Sequence, residues 1–290
     1  MKILISTDSS CLLKNGELEK LNIRVFPLNV IVDGVEYLDG VTIRQEQLKE
    51  YMLDGKQIKT STPPLGTVIE YFEGIFSEGY DKVIHFTISS KLSSMYSLFA
   101  NVSSNFFDGK IVVVDSYAVS SLMLSHVLFA YDKLQEGVEP EKIKELIEER
   151  KNDYYICFTP ENLTALKNGG RISPSVAAIG NTIGLKPILT FNDGELGKEG
   201  TTLNMKKVFI EKINKTVKKF STEKYDFSLV SFGANEKIFN SLKEHFLEEV
   251  GEDVLITGGI PINICAHCGP GTIGYLVTPK INGKSIKDFI

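Results

Sequence analysis

Short apolar runs alternate with segments of helical periodicity along most of this 290-residue chain. The runs typical of buried β-strands are Lys2–Ser6, Arg24–Val32, Lys82–Ile88, Lys110–Val114, Tyr154–Phe158, Pro187–Phe191, Phe227–Phe232 and Val254–Thr257. Apolar side chains recur three and four positions apart over residues 65–76 and 205–220, which is typical of amphipathic helices. A chain that alternates in this way is expected to fold into α/β layers.

A polar stretch near the middle of the chain indicates a domain boundary. The charged segment Glu141–Arg150 ends in Lys151-Asn152-Asp153 before a new apolar run begins. We therefore expect an N-terminal α/β domain over residues 1–153, rich in parallel strands, and a C-terminal α/β domain over residues 154–290. The sequence Asn192-Asp193-Gly194 is a hairpin-turn signal, so the second domain is expected to contain a mixed sheet.

Composition and charge argue against several function classes. A net charge of -5 leaves no basic surplus to neutralise a nucleic-acid backbone. The first residues are too short an apolar run for a signal peptide, and no apolar run of about 18 residues occurs, so we expect no stable membrane insertion and a cytoplasmic location. Four cysteines are few for a disulfide-stabilised fold of this length and fit a reducing compartment.

The segment that follows Lys82 carries the strongest signal of a binding site. A strand-like run stops at a hydroxyl-rich turn, Ser89-Ser90-Lys91-Leu92-Ser93-Ser94, which opens into a helical pattern. Free backbone N–H groups and the positive end of the helix dipole gather at a helix N-terminus. This turn therefore favours a phosphate or carboxylate without needing a lysine, and an acidic small molecule is the expected ligand.

Three further loops resemble parts of a binding site. The hydroxyls of Thr60 and Ser61 precede Pro63-Pro64 and a helix, where they either bind a ligand or only cap the helix. Arg171 follows two glycines and is either an anion contact or simply an exposed cation, and the first glycine is expected to end a short helix in the left-handed conformation. His267 is expected in a loop over residues 263–271 that contains a Gly-Pro-Gly turn.

Two enzyme classes remain as alternatives. Cys265 and Cys268 have the spacing of a redox dithiol or of half a zinc site, but the other cysteines and histidines show no paired spacing. A serine hydrolase with Ser93 as nucleophile and His267 as base, oriented by Asp115 or Asp8, lacks the Gly-x-Ser-x-Gly elbow. Phosphate-binding glycine motifs of nucleotide enzymes are missing too.

Taken in order, these motifs resemble the DegV family of bacterial fatty-acid-binding proteins over nearly the whole chain. The segments that carry the resemblance are Ser6-Thr7-Asp8-Ser9-Ser10, Thr60-Ser61-x-Pro, Ser89-Ser90-Lys91-Leu92-Ser93, Val114-Asp115-Ser116, Leu166-Lys167-x-Gly-Gly-Arg171-Ile-Ser173, Lys186-Pro187-Ile188 and His267-x-Gly-Pro-Gly271. The resemblance implies a two-domain α/β protein that holds one long-chain fatty acid in a tunnel between its domains.

The resemblance also implies roles for particular residues. A carrier of this kind is not a catalyst: it presents the fatty acid carboxylate to a partner fatty acid kinase, which forms an acyl phosphate for phospholipid synthesis. The residues that match the head-group region of the family, expected to bind the carboxyl group, are Thr60, Ser61, Ser93, Ser94 and His267. Arg171 is expected near the mouth of the tunnel. The expected ligand is the fatty acid itself, with no cofactor and no metal.

Three departures from the family pattern bear on function. Ser94 replaces a glycine of the family turn, which narrows access to the backbone where the head group approaches. Cys265-Ala266 replaces Gly-Thr before the family histidine, which removes a hydroxyl from that region. A basic segment linked to kinase engagement has no arginine here and offers only Lys206 and Lys207. Lipid binding is therefore better supported than kinase coupling.

Overall fold

The N-terminal part of the chain is built on a parallel sheet. The computed structural model describes residues 1–11, 16–172, 176 and 184–290. Four apolar runs form parallel strands in the order β2-β1-β6-β7: β1 (Ile3–Asp8), β2 (Ile23–Phe26), β6 (Lys82–Thr87) and β7 (Ile111–Asp115). Strands β1, β6 and β7 are buried almost throughout, as expected of a parallel sheet covered on both faces.

A small antiparallel sheet stands beside the parallel one. Its strands are β3 (Asn29–Val32), β4 (Val35–Leu38) and β5 (Ile58–Ser61), in the order β4-β3-β5. The prediction of one strand over Arg24–Val32 is wrong, because β2 and β3 belong to different sheets. Pro27 separates them, and proline has no N–H with which to continue a ladder.

Six helices accompany these sheets in the described part of residues 1–153. They are α1 (Glu17–Lys20), α2 (Gln45–Leu53), α3 (Leu65–Ser77), α4 (Met95–Phe106), α5 (Ser120–Gln135) and α6 (Pro140–Arg150). Helix α3 begins where the apolar periodicity predicts it and buries Val68, Phe72 and Ile75. Helix α5 is buried along most of its length because it lies between β1 and β13 (Thr272–Pro279).

The C-terminal part is a mixed six-stranded sheet in the order β10-β9-β8-β13-β11-β12. The remaining strands are β8 (Tyr155–Thr159), β9 (Lys186–Asn192), β10 (Glu195–Thr202), β11 (Tyr225–Phe232) and β12 (Leu255–Gly259). β11 and β12 run parallel, whereas the other neighbouring pairs are antiparallel. The Asn192-Asp193-Gly194 turn joins β9 to β10 as predicted. The α/β class, with a parallel sheet followed by a mixed one, is confirmed.

One helix of the C-terminal part lies in a segment predicted to be a loop. Over residues 155–172 and 184–290 the helices are α7 (Thr164–Asn168), α8 (Met205–Lys219), α9 (Glu236–Val250) and α10 (Ile262–Cys268), followed by a 3-10 turn at Ile286–Asp288. The loop predicted over residues 263–271 is therefore wrong, since His267 lies in the last turn of α10. Gly170, with φ 68°, takes the left-handed conformation expected of Gly169.

The two parts of the chain share one apolar core. A single cluster of buried side chains includes Ile84 of the parallel sheet, Leu128 of α5, Leu276 of the mixed sheet and Ile262 of α10. The mixed sheet begins at Tyr155, and the domain boundary between residues 153 and 154 stays a prediction. Among the described helices, none combines the length and the apolar character needed to cross a membrane.

Candidate functional site

A pocket lies where the two parts of the chain meet. The empty space in and around its opening is about 1140 Å³, part of which is open to solvent. Thr60, Ser61 and Ser93 line it from the N-terminal part, and Arg171 and His267 line it from the C-terminal part. Four of the five side chains predicted to bind the carboxyl group, together with the predicted mouth residue Arg171, thus line one cavity.

The rest of the pocket wall is mostly apolar. Both parts of the chain contribute to it, with side chains such as Leu28, Ile88, Val119, Phe191, Val230 and Leu276. These residues come from strands and from the loops at strand ends, so the wall is made by the same hydrophobic pattern that builds the core. A mostly apolar cavity with a few convergent polar groups is the usual form of a small-molecule site.

His267 is fixed by a hydrogen bond across the pocket. Its Nε2 lies 2.9 Å from Oγ1 of Thr60, which joins α10 to the end of β5. Burial, assisted by the positive charge of Arg171, lowers the pKa of His267 to about 4. The ring is therefore neutral at physiological pH and takes part in hydrogen bonding rather than in a salt bridge.

Arg171 is held by backbone carbonyl groups. Its Nε donates to the oxygen of Leu92 at 3.2 Å, and one terminal nitrogen donates to the oxygen of Gly169 at 2.6 Å. The contact with Leu92 connects the loop after α7 to the serine turn before α4. The guanidinium is half-buried at the pocket wall and places a positive charge beside the cavity. The alternative that Arg171 is simply an exposed surface cation is therefore wrong.

The predicted serine and threonine contacts have different positions. Ser93 lines the pocket, whereas Ser94 is exposed, precedes α4 as its N-cap residue without a side-chain cap bond, and does not line it. Thr60 and Ser61 end β5, and the N-cap residue of α3 is Pro64. The helix-capping interpretation of the two hydroxyls is therefore wrong, and both face the cavity instead.

The side chains proposed for a serine hydrolase do not form a catalytic triad. His267 bonds Thr60 through Nε2, and its buried Nδ1 has no hydrogen-bond partner among the described residues. Asp8 accepts the N–H groups of Ile88 and Ser10, and Asp115 accepts those of Ser90 and Tyr117. Neither carboxylate orients the imidazole, which a triad requires.

The cysteines are all reduced. Cys265 and Cys268 lie on α10 as free thiols, both buried, and Cys11 and Cys157 are also free. Across the described ranges, no three His, Cys, Asp or Glu side chains are grouped closely enough to hold a metal ion. Cys265 and Cys268 therefore have no further ligands in these ranges with which to complete a zinc site.

The structure adds a pocket residue that the sequence analysis does not select. Asn263 lies one helical turn before His267 on α10 and lines the cavity. Its backbone N–H donates to Asp39 at 3.0 Å, and its amide donates to Ser10 at 2.6 Å. The spacing of four residues from His267 would have indicated a shared face, had the segment been recognised as a helix.

Lys206 and Lys207 lie away from the pocket wall. Both are exposed in the first turn of α8. Neither lines the cavity, so their proposed contact with a partner concerns the surface of the molecule. Ser173, which belongs to the glycine-arginine motif, lies outside the described residues.

Comparison with known sequences agrees with this architecture. The model of the DegV family, described as "Uncharacterised protein, DegV family", matches residues 2–280. A DegV domain-containing protein of Mycoplasmopsis pulmonis is 32% identical over 275 residues, which cover 94% of this chain and 93% of that protein.

Comparison with solved structures gives the same relationship. The fold resembles a DegV family protein from Thermus thermophilus, described for its fatty acid binding, with a TM-score of 0.85 and 26% identity over 96% of this chain and 100% of that one. A stearic acid-binding protein from Eubacterium ventriosum has a TM-score of 0.84 and 26% identity, with 97% and 99% covered. Because the family model spans nearly the whole sequence, this chain belongs to the DegV family.

Proposed function

We propose that this protein binds one long-chain fatty acid in a tunnel between its N-terminal and C-terminal domains. The observation that carries the proposal is a mostly apolar cavity with Thr60, Ser61, Ser93 and His267 in its wall. Solved relatives from Thermus thermophilus and Eubacterium ventriosum, described as binding a fatty acid and stearic acid, support the same ligand class.

The apolar wall provides the affinity for such a ligand. Burying about 15 methylene groups at roughly 0.8 kcal/mol each gives a gross driving force near 12 kcal/mol, before the entropy lost on binding is subtracted. The polar groups provide orientation, because a carboxylate left without hydrogen bonds in an apolar cavity would be strongly disfavoured. The fatty acid therefore binds with its carboxylate among the hydroxyls and its chain along the apolar wall.

The carboxylate is recognised mainly by neutral donors. Ser93, Thr60 and Ser61 provide hydroxyls, and the neutral ring of His267 holds Thr60 in place. Arg171 is bonded to two backbone carbonyls, so its charge is partly committed to the protein. Neutral donors hold a carboxylate less rigidly than a bidentate ion pair does. The weaker hold leaves the carboxylate accessible to a second protein.

The second protein is a fatty acid kinase in this proposal. The kinase would phosphorylate the presented carboxylate to an acyl phosphate, and this chain would act as a lipid carrier without turnover of its own. Lys206 and Lys207, exposed at the start of α8, are the basic side chains that we propose for contact with it.

The first experiment is to identify what the protein carries. The protein purified from cells is denatured and extracted with organic solvent, and the extract is compared with a blank by mass spectrometry. We expect a near-stoichiometric long-chain fatty acid. An empty protein that also shows no thermal shift with added fatty acids would contradict the proposal.

A matched pair of variants tests the head-group assignment. Ser93→Ala removes a hydroxyl in the pocket wall and should weaken fatty acid binding by about 1–3 kcal/mol. Ser94→Ala removes the neighbouring exposed hydroxyl and should leave the affinity unchanged, as measured by isothermal titration with stearic acid. Equal losses in both variants would show that the affinity depends on the turn as a whole. Loss of acyl-ester hydrolysis in Ser93→Ala would instead favour an enzyme.

A further inference from the structure

The two cysteines of α10 are not used by the proposed function. Cys265 and Cys268 are separated by three positions, so they lie on one face of the helix. Both are free thiols, and Sγ of Cys268 donates to the carbonyl oxygen of Cys265 at 3.9 Å. Side chains three positions apart on a helix have β-carbons about 5–6 Å apart, so a small local movement would allow the two sulfur atoms to bond.

The two thiols differ in access to the cavity. Cys268 lines the pocket, whereas Cys265 lies behind it and donates to the carbonyl of Ile260 at 3.2 Å. Only 5% of Cys268 and none of Cys265 is exposed. A reactant therefore reaches Cys268 through the pocket, and Cys265 only after Cys268.

The two thiols also differ in reactivity. The neighbouring Cys265 side chain lowers the pKa of Cys268, whereas burial raises the pKa of Cys265 well above its ordinary value. The thiolate is the nucleophilic form of cysteine. Cys268 is thus suited to attack first, and Cys265 is suited to remain a thiol until a sulfur electrophile forms beside it.

We infer that Cys268 and Cys265 form a two-thiol site that reduces a hydroperoxide group carried by a fatty acid in the pocket. This inference rests on the proposed lipid function, because the pocket selects the oxidant. A bulky protein disulfide cannot reach Cys268 by this route, whereas a lipid with an oxidised chain has the chemistry that the wall accepts. The geometry therefore favours an apolar hydroperoxide.

The reaction proceeds in two steps. The Cys268 thiolate attacks the terminal oxygen of the hydroperoxide, so an S–O bond forms, the O–O bond breaks, and the alkoxide takes up the proton that Cys268 lost and leaves as a hydroxy fatty acid. The sulfur of Cys265 then displaces water from the Cys268 sulfenic acid, and a disulfide forms. Two electrons pass from the thiols to the lipid, and a small external dithiol restores both cysteines as it is itself oxidised.

The test uses the full chain, freed of lipid and fully reduced, with linoleic acid hydroperoxide as the probe. Intact-mass spectrometry should show loss of two hydrogen atoms, and lipid analysis should show one equivalent of the hydroxy acid. Cys268→Ser should abolish both signals. Cys265→Ser should stop at the gain of one oxygen atom, whereas Cys157→Ala, at a buried cysteine outside the pocket wall, should behave as wild type.

Competition with stearic acid separates this inference from the proposed function. At ten times its dissociation constant, stearic acid should slow thiol oxidation about tenfold by mass action. If stearic acid raises the melting temperature but the hydroperoxide leaves the thiols reduced, this inference is wrong and the lipid function stands. Thiol oxidation at the same rate with and without stearic acid would also overturn this inference. Undiminished reduction of the hydroperoxide by Cys268→Ser would overturn it too. If stearic acid neither shifts the melting temperature nor competes, the lipid function fails too.

Discussion

At the scale of single residues, the position of His267 depends on a glycine from another helix. A β-carbon on Gly169 would lie 2.1 Å from Nδ1 of His267, far inside van der Waals contact. The ring cannot move away freely, because Nε2 is bonded to Thr60. Packing against His267 therefore requires a glycine at position 169. The Gly-Gly-Arg motif alone does not indicate this requirement.

Gly169→Ala should displace the ring and break its bond to Thr60. We expect fatty acid affinity to fall by about 1–3 kcal/mol, the usual effect of losing a buried hydrogen bond. Stearic acid titration measures this change. Gly74→Ala is the matched control, because Gly74 is exposed on α3 with nothing near its β-carbon position, and it should bind normally with equal or higher stability. Normal binding by Gly169→Ala would contradict this packing argument.

A second residue-scale effect concerns carboxyl groups buried behind the site. Burial raises the pKa of Asp39 to about 7 and that of Asp8 to about 6, from 3.8. The folded protein keeps these protons at a pH where the unfolded chain has lost them. The stability that they contribute is therefore complete below about pH 3.8 and is lost as the pH rises through 6 to 7.

Asp39→Asn should remove part of this loss. Between pH 5 and pH 8 the variant should gain about 2 kcal/mol in unfolding free energy relative to wild type, measured by denaturant unfolding at both values. The variant must be compared with wild type at each pH because two histidines also make stability depend on pH. Burial lowers the pKa of His85 and His126 to about 3, so the stability of both proteins falls as the pH drops below 6.5. Asp253→Asn, at an exposed carboxyl, should show no such gain, and a parallel course of Asp39→Asn and wild type would contradict the assignment.

At the scale of elements, hydrophobic pattern predicts the buried strands and fails where other constraints act. The segments of β1, β6, β7 and β11 are rich in apolar and β-branched residues, and all four form strands. β10, with the sequence ELGKEGTT, has no such pattern and exists because the Asp193-Gly194 turn pairs it with β9. Strand pairing of this kind depends on the partner and is not visible in the segment itself.

The helix that carries His267 shows the same limit. α10 has seven residues between Pro261 and Gly269, and these flanking residues favour a loop when read from sequence. Tertiary contacts stabilise it, since α10 packs against α2, α7 and β5. The resemblance to a family identified five side chains that the fold brings to one pocket, but it could not indicate Asn263, which depends on helical spacing.

Helix α8 provides the test of kinase coupling at this scale. Lys206→Glu with Lys207→Glu reverses the charge in its first turn and should slow acyl-phosphate formation by a verified fatty acid kinase about tenfold, by electrostatic effects on association. Fatty acid binding should not change, because neither lysine lines the pocket. Lys218→Glu with Lys219→Glu makes the same change in the last turn of α8 and should have little effect. Unchanged acyl-phosphate formation in the first variant would remove these lysines from the proposed interface.

At the scale of the whole molecule, the pocket wall is shared by both parts of the chain. Thr60 bonds His267, and Arg171 bonds the carbonyl of Leu92, so hydrogen bonds near the cavity cross from one part to the other. Ser89 adds another, since its hydroxyl donates to the carbonyl of Gly194 at 2.6 Å. A ligand that fills this cavity is expected to stabilise both parts together, because each supplies part of its wall.

Hydrogen exchange with and without stearic acid tests this coupling. In the lipid-bound protein, amide exchange should slow about tenfold or more in both the serine turn, residues 89–94, and helix α10, because local opening of either would expose the bound chain. Helix α9 lines no part of the pocket and serves as the internal control. Protection confined to one part of the chain would place the ligand in that part alone and contradict a tunnel between domains. Protection of both parts, with α9 unchanged, is the result expected when one ligand contacts two walls.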